Sequence, residues 1–312
     1  MTPEPAARSA VPRILDLAGD ELAELRGGDL AAAIRAAEGR TVLAELVAPA
    51  APLLAGTSNA ELLAAFGADL LCLNLVDLSA TGPVVSGLDG LEPAPEGLAG
   101  LARLVGRPVG LNLEPDLPSV PAALRATPDG VAAAADAGAA FAVVTANPGR
   151  GARIADLADA ARAVRAEAPD LLCLAGKMHQ AGADEPLGPD VAARLVDAGA
   201  HGVLVPLPGT VPGLDERTAA AMAQRARGSG ALAVGTVGTS QEGAHVDTLR
   251  MLGLAAKRVG VDVHHIGDAG WTGLAPPENV YAYAVTIRGV RHTWNRMARS
   301  TRVRWQGRSE RR

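Results

Sequence analysis

A phrase recurs along this chain in which a helical pattern closes on glycine and runs at once into an apolar strand. It reads FGADLLCLN at 66–74, DAGAAFAVVTAN at 136–147, DAGAHGVLVP at 197–206 and VGVDVHHIG at 259–267. The glycines fall at 67, 138, 199 and 260, so successive copies lie 71, 61 and 61 residues apart. Each spacing is about twice a unit of ~30 residues, the size of one strand with its crossover helix. DLLCL at 69–73 returns at 170–174. Apolar runs of strand length bounded by Gly, Pro and Asp stand at 41–48, 69–76, 108–113, 140–145, 170–176, 202–206, 231–236 and 261–266, each followed by a helical pattern. Eight such alternations predict an α/β fold, a closed (βα)8 TIM barrel. An open doubly wound sheet is the competing reading, weakened because no GxGxxG turn follows the first strand.

Hydrophobic residues make up 48% of the 312, but aromatic residues only 2%, so the core is built from Ala, Val, Leu and Ile, which suit helices laid on a parallel sheet. One domain is expected at 14–298, after a flexible stretch at 1–13 and before a basic, disordered tail at 299–312. An amphipathic helix over 20–38 precedes the first strand and is placed to plug the bottom of the barrel. A long last helix over 278–298 begins after Pro276-Pro277. Ser58 with Glu61 and Thr239 with Glu242 have capping-box spacing, while Thr127-Pro128 and Gly188-Pro189 put proline at a first helical position. Cys72 and Cys173 each lie in an apolar run, without metal-ligand spacing or the density of a secreted scaffold, and read as small buried hydrophobes. No signal-peptide or membrane-span pattern is present, which gives a cytoplasmic expectation with no membrane partner. A net charge of -5 argues against a general nucleic-acid partner, the arginine-rich 299–312 notwithstanding. That basic segment and Trp294, beyond the barrel strands, suggest a homo-oligomer.

In strands buried on both faces a polar side chain needs a reason. Asn74 closes the second strand, Asn112 and Glu114 the third, Thr145 and Asn147 the fourth, Lys177 and His179 the fifth. Within each pair the two residues share a face of the pleat, so the set draws a polar mouth at the C-terminal rim, where barrels of this kind hold their chemistry. Glu114 before Pro115 is a candidate general base or metal ligand. Glu45, near the middle of the first strand, requires a partner in Lys177 or a histidine, or a metal. Of His264 and His265 only one can face the interior, and parity with Val261 and Val263 favours His265. The bland alternative for the amides and Thr145 is hydrogen bonding to loop backbone, and for the histidines a satisfied place in the core.

Two glycine-rich turns, GTVGTSQEG at 235–243 and GDAGWTG at 267–273, follow the seventh and eighth strands, where barrels commonly bind phosphate. Gly235, Gly238, Thr239, Ser240, Gly267 and Gly270 are the expected anion cradle. Of 29 basic residues only Lys177 and Lys257 are lysine. Lys177 at a strand end, two residues before His179, therefore reads as a Schiff-base nucleophile with a lowered pKa or as a cation stabilising an enolate, against a structural ion pair with Glu45 or Glu114. No cofactor is certain. A divalent metal held by His179, His265, Glu114 and Glu45 is a possibility, although their spacing matches no compact signature.

EGRTVLAELV, SNAELLAAFGADLLCLN, GLNLEP, GKMHQAG, VPLPGTVPG, GTSQEGAHVDTLR, HHIGDAG and APPENVYAYAVTIRGVRHTWNRMA together resemble an uncharacterised family of bacterial barrel proteins. Its members are often encoded near sugar phosphotransferase components and are variously labelled haloacid-dehalogenase-like or phosphoenolpyruvate-phosphonomutase-like. The resemblance covers about 14–300 and implies a barrel and a link to sugar metabolism, without assigning a reaction or catalytic residues. No DxD-type motif ends an early strand, so the dehalogenase label finds no support. The expected function is an enzyme acting on a phosphorylated sugar or keto acid, an aldolase-type lyase or an isomerase. The alternatives are a non-catalytic sugar-phosphate-binding barrel linked to transport and a metal-dependent enzyme of the phosphoenolpyruvate mutase type.

Overall fold

The computed structural model describes residues 11–79, 84–88, 95–180, 183 and 185–299. In it the four recurring glycines all take positive φ: 107° at Gly67, 83° at Gly138, 100° at Gly199 and 83° at Gly260. Each lets the chain leave a helix in the left-handed region and enter the next strand, a conformation that a Cβ disfavours. The strands so launched and their neighbours are β1 (Thr41–Val47), β2 (Leu70–Asn74), β3 (Val109–Leu113), β4 (Phe141–Val144), β5 (Leu172–Ala175), β6 (Gly202–Pro206), β7 (Leu232–Val237) and β8 (Val263–Ile266). They pair in sequence order, all parallel, and β8 returns to β1, with Leu43 opposite His265. The expected (βα)8 barrel is the fold.

Ten α-helices accompany them among the described residues: α1 (Asp20–Ala23), α2 (Gly27–Ala36), α3 (Asn59–Ala65), α4 (Gly97–Val105), α5 (Pro128–Asp136), α6 (Ile154–Glu167), α7 (Pro189–Asp197), α8 (Glu216–Gly228), α9 (Val246–Val259) and α10 (Pro277–Arg299). Alternation along the strands divides the apolar residues into two cores. One lies between sheet and helices and includes Val42, Leu71, Leu111 and Val144. The other fills the barrel and includes Leu43, Leu70, Phe141, Val143, Leu174, Leu204 and Val263. Both cysteines are buried and unpaired, Cys72 inside the barrel and Cys173 outside it.

The N-terminal segment departs from a single helix over 20–38. It breaks between α1 and α2, where Arg26 is extended and donates to the carbonyls of Ala23 and Leu25 at 2.6 and 2.8 Å. Gly27 follows at φ 47°, so close to Asp170 that a Cβ would lie 2.9 Å from its carbonyl oxygen. The second piece, α2, then buries Leu30 and Ile34 in the interior core and closes the bottom of the barrel. The Ser58–Glu61 capping box forms, but the Thr239–Glu242 box does not. Glu242 sits in a 3-10 turn, and α9 begins only at Val246 with His245 as its cap. The long last helix is present and kinks at Gly289. On either side of that kink, Arg288 and Arg296 reach back to buried Asp69 at 2.5 and 2.7 Å. Residues 1–10 and 300–312, including most of the expected flexible start and basic tail, lie outside the described residues.

Candidate active site

Counting in twos from Leu43, Leu70, Phe141 and Val263 places Glu45, Asn74, Thr145 and His265 on the inner face of the barrel near its C-terminal end, and the side chains meet there. Glu45, 1% exposed in mid-barrel, accepts a hydrogen bond from Asn112 Nδ2, and its Oε2 lies 2.9 Å from His265 Nε2. The latter is a contact of charges rather than an aligned hydrogen bond, since neither ring nitrogen of His265 has a hydrogen-bond partner among the described residues. His264 faces the helix layer instead, against Tyr283 Oη at 3.2 Å and the Gly39 carbonyl at 3.0 Å. Burial there holds its pKa down at about 3.

The network then runs around the rim. Asn74 Nδ2 donates to Asp268 Oδ2 at 2.8 Å and to Asn147 Oδ1 at 3.2 Å. Asn147 in turn gives its backbone and side-chain N–H groups to the Glu114 carboxylate at 2.9 and 3.0 Å, and Arg150 Nε stands 3.4 Å from the same group. Leu75, directly after Asn74, has φ 56°, a strained conformation for leucine. Its N–H donates to Asn74 Oδ1 at 2.9 Å, which fixes the amide so that Asn74 Nδ2 is presented to Asp268.

Asp268 is the residue that reading the strands alone missed, because it lies one residue beyond Gly267 in a turn taken for a phosphate loop. Burial, and next to it the charge of Glu45, push its pKa up to about 7, against the opposing hydrogen bond from Asn74. Glu242, also buried and also raised by burial, adds to that repulsion. A carboxyl poised there can give and take a proton near neutrality. Around it, Asn112 Oδ1, Thr236 Oγ1, Glu242 Oε2 and His265 Nδ1 are buried without a hydrogen-bond partner among the described residues.

Other expected site residues are placed differently. Lys177 is buried, but its Nζ pairs with Glu185 at 3.2 Å and donates to the Ala183 carbonyl at 2.6 Å; its partner is neither Glu45 nor Glu114. His179 hydrogen-bonds the backbone of Ala146, and burial together with nearby Lys177 lowers its pKa. Thr145 is buried at the end of β4. The two glycine-rich turns are not an open anion cradle. Gly235 lies within β7 facing outward, where a Cβ would meet Leu207 and Val261 at 2.9 Å. Gly238 and Gly270 are packed as tightly, against Met178 and Ala275. The Gly267 N–H is taken by the Val237 carbonyl at 2.8 Å, and that of Ala269 by Glu242 Oε1 at 3.1 Å. Thr239 bonds the Thr210 carbonyl and Gln241, and Ser240 caps no helix. The chain's own carboxylate therefore occupies the place where the glycines led one to expect an anion. The four proposed metal ligands do not converge either: among the described residues no three His, Cys, Asp or Glu side chains are disposed to hold an ion. No described helix is long and apolar enough to cross a membrane.

Comparison with known proteins adds a family. The model described as "Domain of unknown function (DUF7916)" matches residues 15–303. The chain belongs to that family. No curated protein matches this DUF7916 member. Among solved structures it is similar to a candidate lyase/mutase of Burkholderia cenocepacia J2315, at 21% identity over 78% of this chain and 82% of that one, with a TM-score of 0.49. A Rubisco-like protein from Rhodopseudomonas palustris gives 18% identity over 82% of this chain and 67% of the other, TM-score 0.49. An aldolase, QR15, gives 12% over 76% and 94%, TM-score 0.43. Likenesses this distant carry none of the neighbours' chemistry to the DUF7916 chain, whose site has to be read from its own residues.

Proposed function

We propose that this barrel is a lyase or isomerase that moves a proton next to a carbonyl group, on a small substrate of the phosphorylated-sugar or keto-acid class. The observation that carries the reading is Asp268, a buried carboxyl at the barrel mouth with its pKa near 7. As the carboxylate, it takes a proton from a hydroxyl whose neighbouring C–C bond then breaks, as in aldol cleavage, or from the carbon beside the carbonyl, as in isomerisation. It returns the proton to the enediol or enolate so formed. His265, with Glu45 against its Nε2, has Nδ1 available to the substrate oxygen on which negative charge develops. Asn74 holds Asp268 in place. Arg150, partly exposed beside Glu114 on the β4 side of the mouth, keeps donors for an anionic tail.

Solvent exchange tests this whatever the product is. Sugar phosphates and keto acids that raise the melting temperature are incubated with the protein in deuterium oxide, and deuterium at carbon beside the carbonyl is read by mass spectrometry. Exchange or cleavage is expected with wild type and lost in Asp268→Asn with the fold intact. Stabilisation without exchange or turnover in wild type would replace the enzyme by a binding protein, and undiminished exchange in the variant would remove Asp268 from the role.

A further inference from the structure

The opposite end of the barrel holds a second group of polar side chains. A cleft of about 450 Å³ opens there between α2, the end of α6 and the turns leading into β5, β6 and β7. Arg35 from α2, Arg165 from α6 and His201 line it, with Asp170 as the carboxylate on its wall.

The state of His201 follows from its neighbours. The Cys173 amide donates to Nδ1 at 3.0 Å, and an amide can only donate, so the proton of the neutral ring is on Nε2. That Nε2–H faces Arg165 Nη1 at 3.3 Å, and a guanidinium too has only donors. Protonating the ring would not relieve the clash, and burial with the charges of Arg165 and Arg35 already lowers its pKa. Two facing donors require an acceptor between them, and with the guanidiniums of Arg35 and Arg165 beside it an anion meets that need best.

The two arginines are held ready for one. Arg165 donates to the Pro169 carbonyl at 3.0 Å, and its stem lies across Gly199, where a Cβ would come within 3.0 Å of Cγ. Arg35 Nη2 donates to the Gly230 carbonyl. Each guanidinium is thus anchored through one terminal nitrogen and keeps further donors for a ligand. We propose that Arg35, Arg165 and the Nε2–H of His201 form a binding site for a small oxyanion, the phosphoryl group of a metabolite or a group of like charge, at the N-terminal end of the barrel and apart from the candidate active site.

Calorimetric titration of the full chain with inorganic phosphate, sulfate and glucose 6-phosphate tests the site. The variants are Arg165→Gln, Arg35→Gln and His201→Asn, the last keeping an acceptor for the Cys173 N–H while deleting the ring donor. Binding is expected in wild type, weaker by about tenfold or more in each variant, and unchanged in Arg217→Gln on the exposed face of α8. Nitrogen NMR of the imidazoles gives a readout on the unmodified protein, in which phosphate should move the Nε2 resonance of His201 and raise its pKa. Binding of glucose 6-phosphate alone, with that resonance moving, would support the site and add contacts to the organic part. The proposal fails if none of the three anions binds, if phosphate and sulfate bind the three variants as they bind wild type, or if binding leaves the Nε2 resonance of His201 unmoved.

Discussion

Between about pH 4 and pH 7, folded Asp268 keeps a proton that the unfolded chain gives up, since its pKa rises from 3.8 to about 7 on folding. A raised carboxyl destabilises the fold progressively as pH climbs through that window, and fully above it. Asp268→Asn, which retains an acceptor for Asn74, should therefore unfold like wild type near pH 4 and be the more stable protein at pH 8, by roughly 1–4 kcal/mol. Urea melts of both proteins at the two pH values check this; equal stability at pH 8 would mean an ordinary carboxyl. Lys177 leads to a second prediction. Its ammonium already pairs with Glu185, so Lys177→Arg should keep the fold and the pair, with a loss of about 1–3 kcal/mol for the added bulk in a buried site, and borohydride with a turned-over substrate should trap no adduct. Sequence reading found Glu45, Asn74, Asn112, Asn147 and His265 because a polar residue inside an apolar strand stands out. It missed Asp268 and misread Glu242, because in loops parity is lost and an acid beside glycine looks like a turn residue or a cap.

At the level of elements, β3 shows how the interior is fitted around few aromatic rings. Phe141 fills the barrel beside Gly110, where an added Cβ would lie 2.3 Å from the Phe141 carbonyl oxygen and 2.5 Å from its ring. Gly110→Ala should thus cost about 1–3 kcal/mol by chemical denaturation, with part regained when Phe141→Leu is added; full additivity of the two losses would contradict the contact. The eight strands were legible because strand and helix periods alternate at near-constant spacing. The break between α1 and α2 was not, because the apolar pattern runs on through it and what interrupts it is the approach of Asp170 to Gly27, a contact 143 residues distant in sequence (170 minus 27).

Across the whole molecule four buried carboxyls, Glu45, Glu114, Glu242 and Asp268, gather toward one end of the barrel, while Arg35 and Arg165 line the cleft at the other. A separate buried cluster ties the end of the described chain to its first quarter, where Asp69 pairs with both Arg288 and Arg296 while Arg107 lies alongside, donating to the Ala68 carbonyl at 2.7 Å. Burial lowers the Arg107 pKa to about 9, and the arginines hold Asp69 below its usual value against its own burial. Asp69→Asn leaves buried guanidiniums without their anion and should cost about 3–5 kcal/mol at neutral pH, seen as a lower urea midpoint; a loss under about 1 kcal/mol would make the cluster incidental. The clamp also sets a timetable. Asp69 leaves the ribosome 219 residues ahead of Arg288 and 227 ahead of Arg296, an interval of roughly 10–45 s at ordinary rates of translation. Until β8 (Val263–Ile266) follows, through most of that interval, β1 has no partner to close the barrel against, so the nascent protein presents an open sheet edge to the cell. The hazard of aggregation for this molecule therefore lies in its synthesis, and chaperone demand should track elongation speed more closely than the stability of the finished barrel.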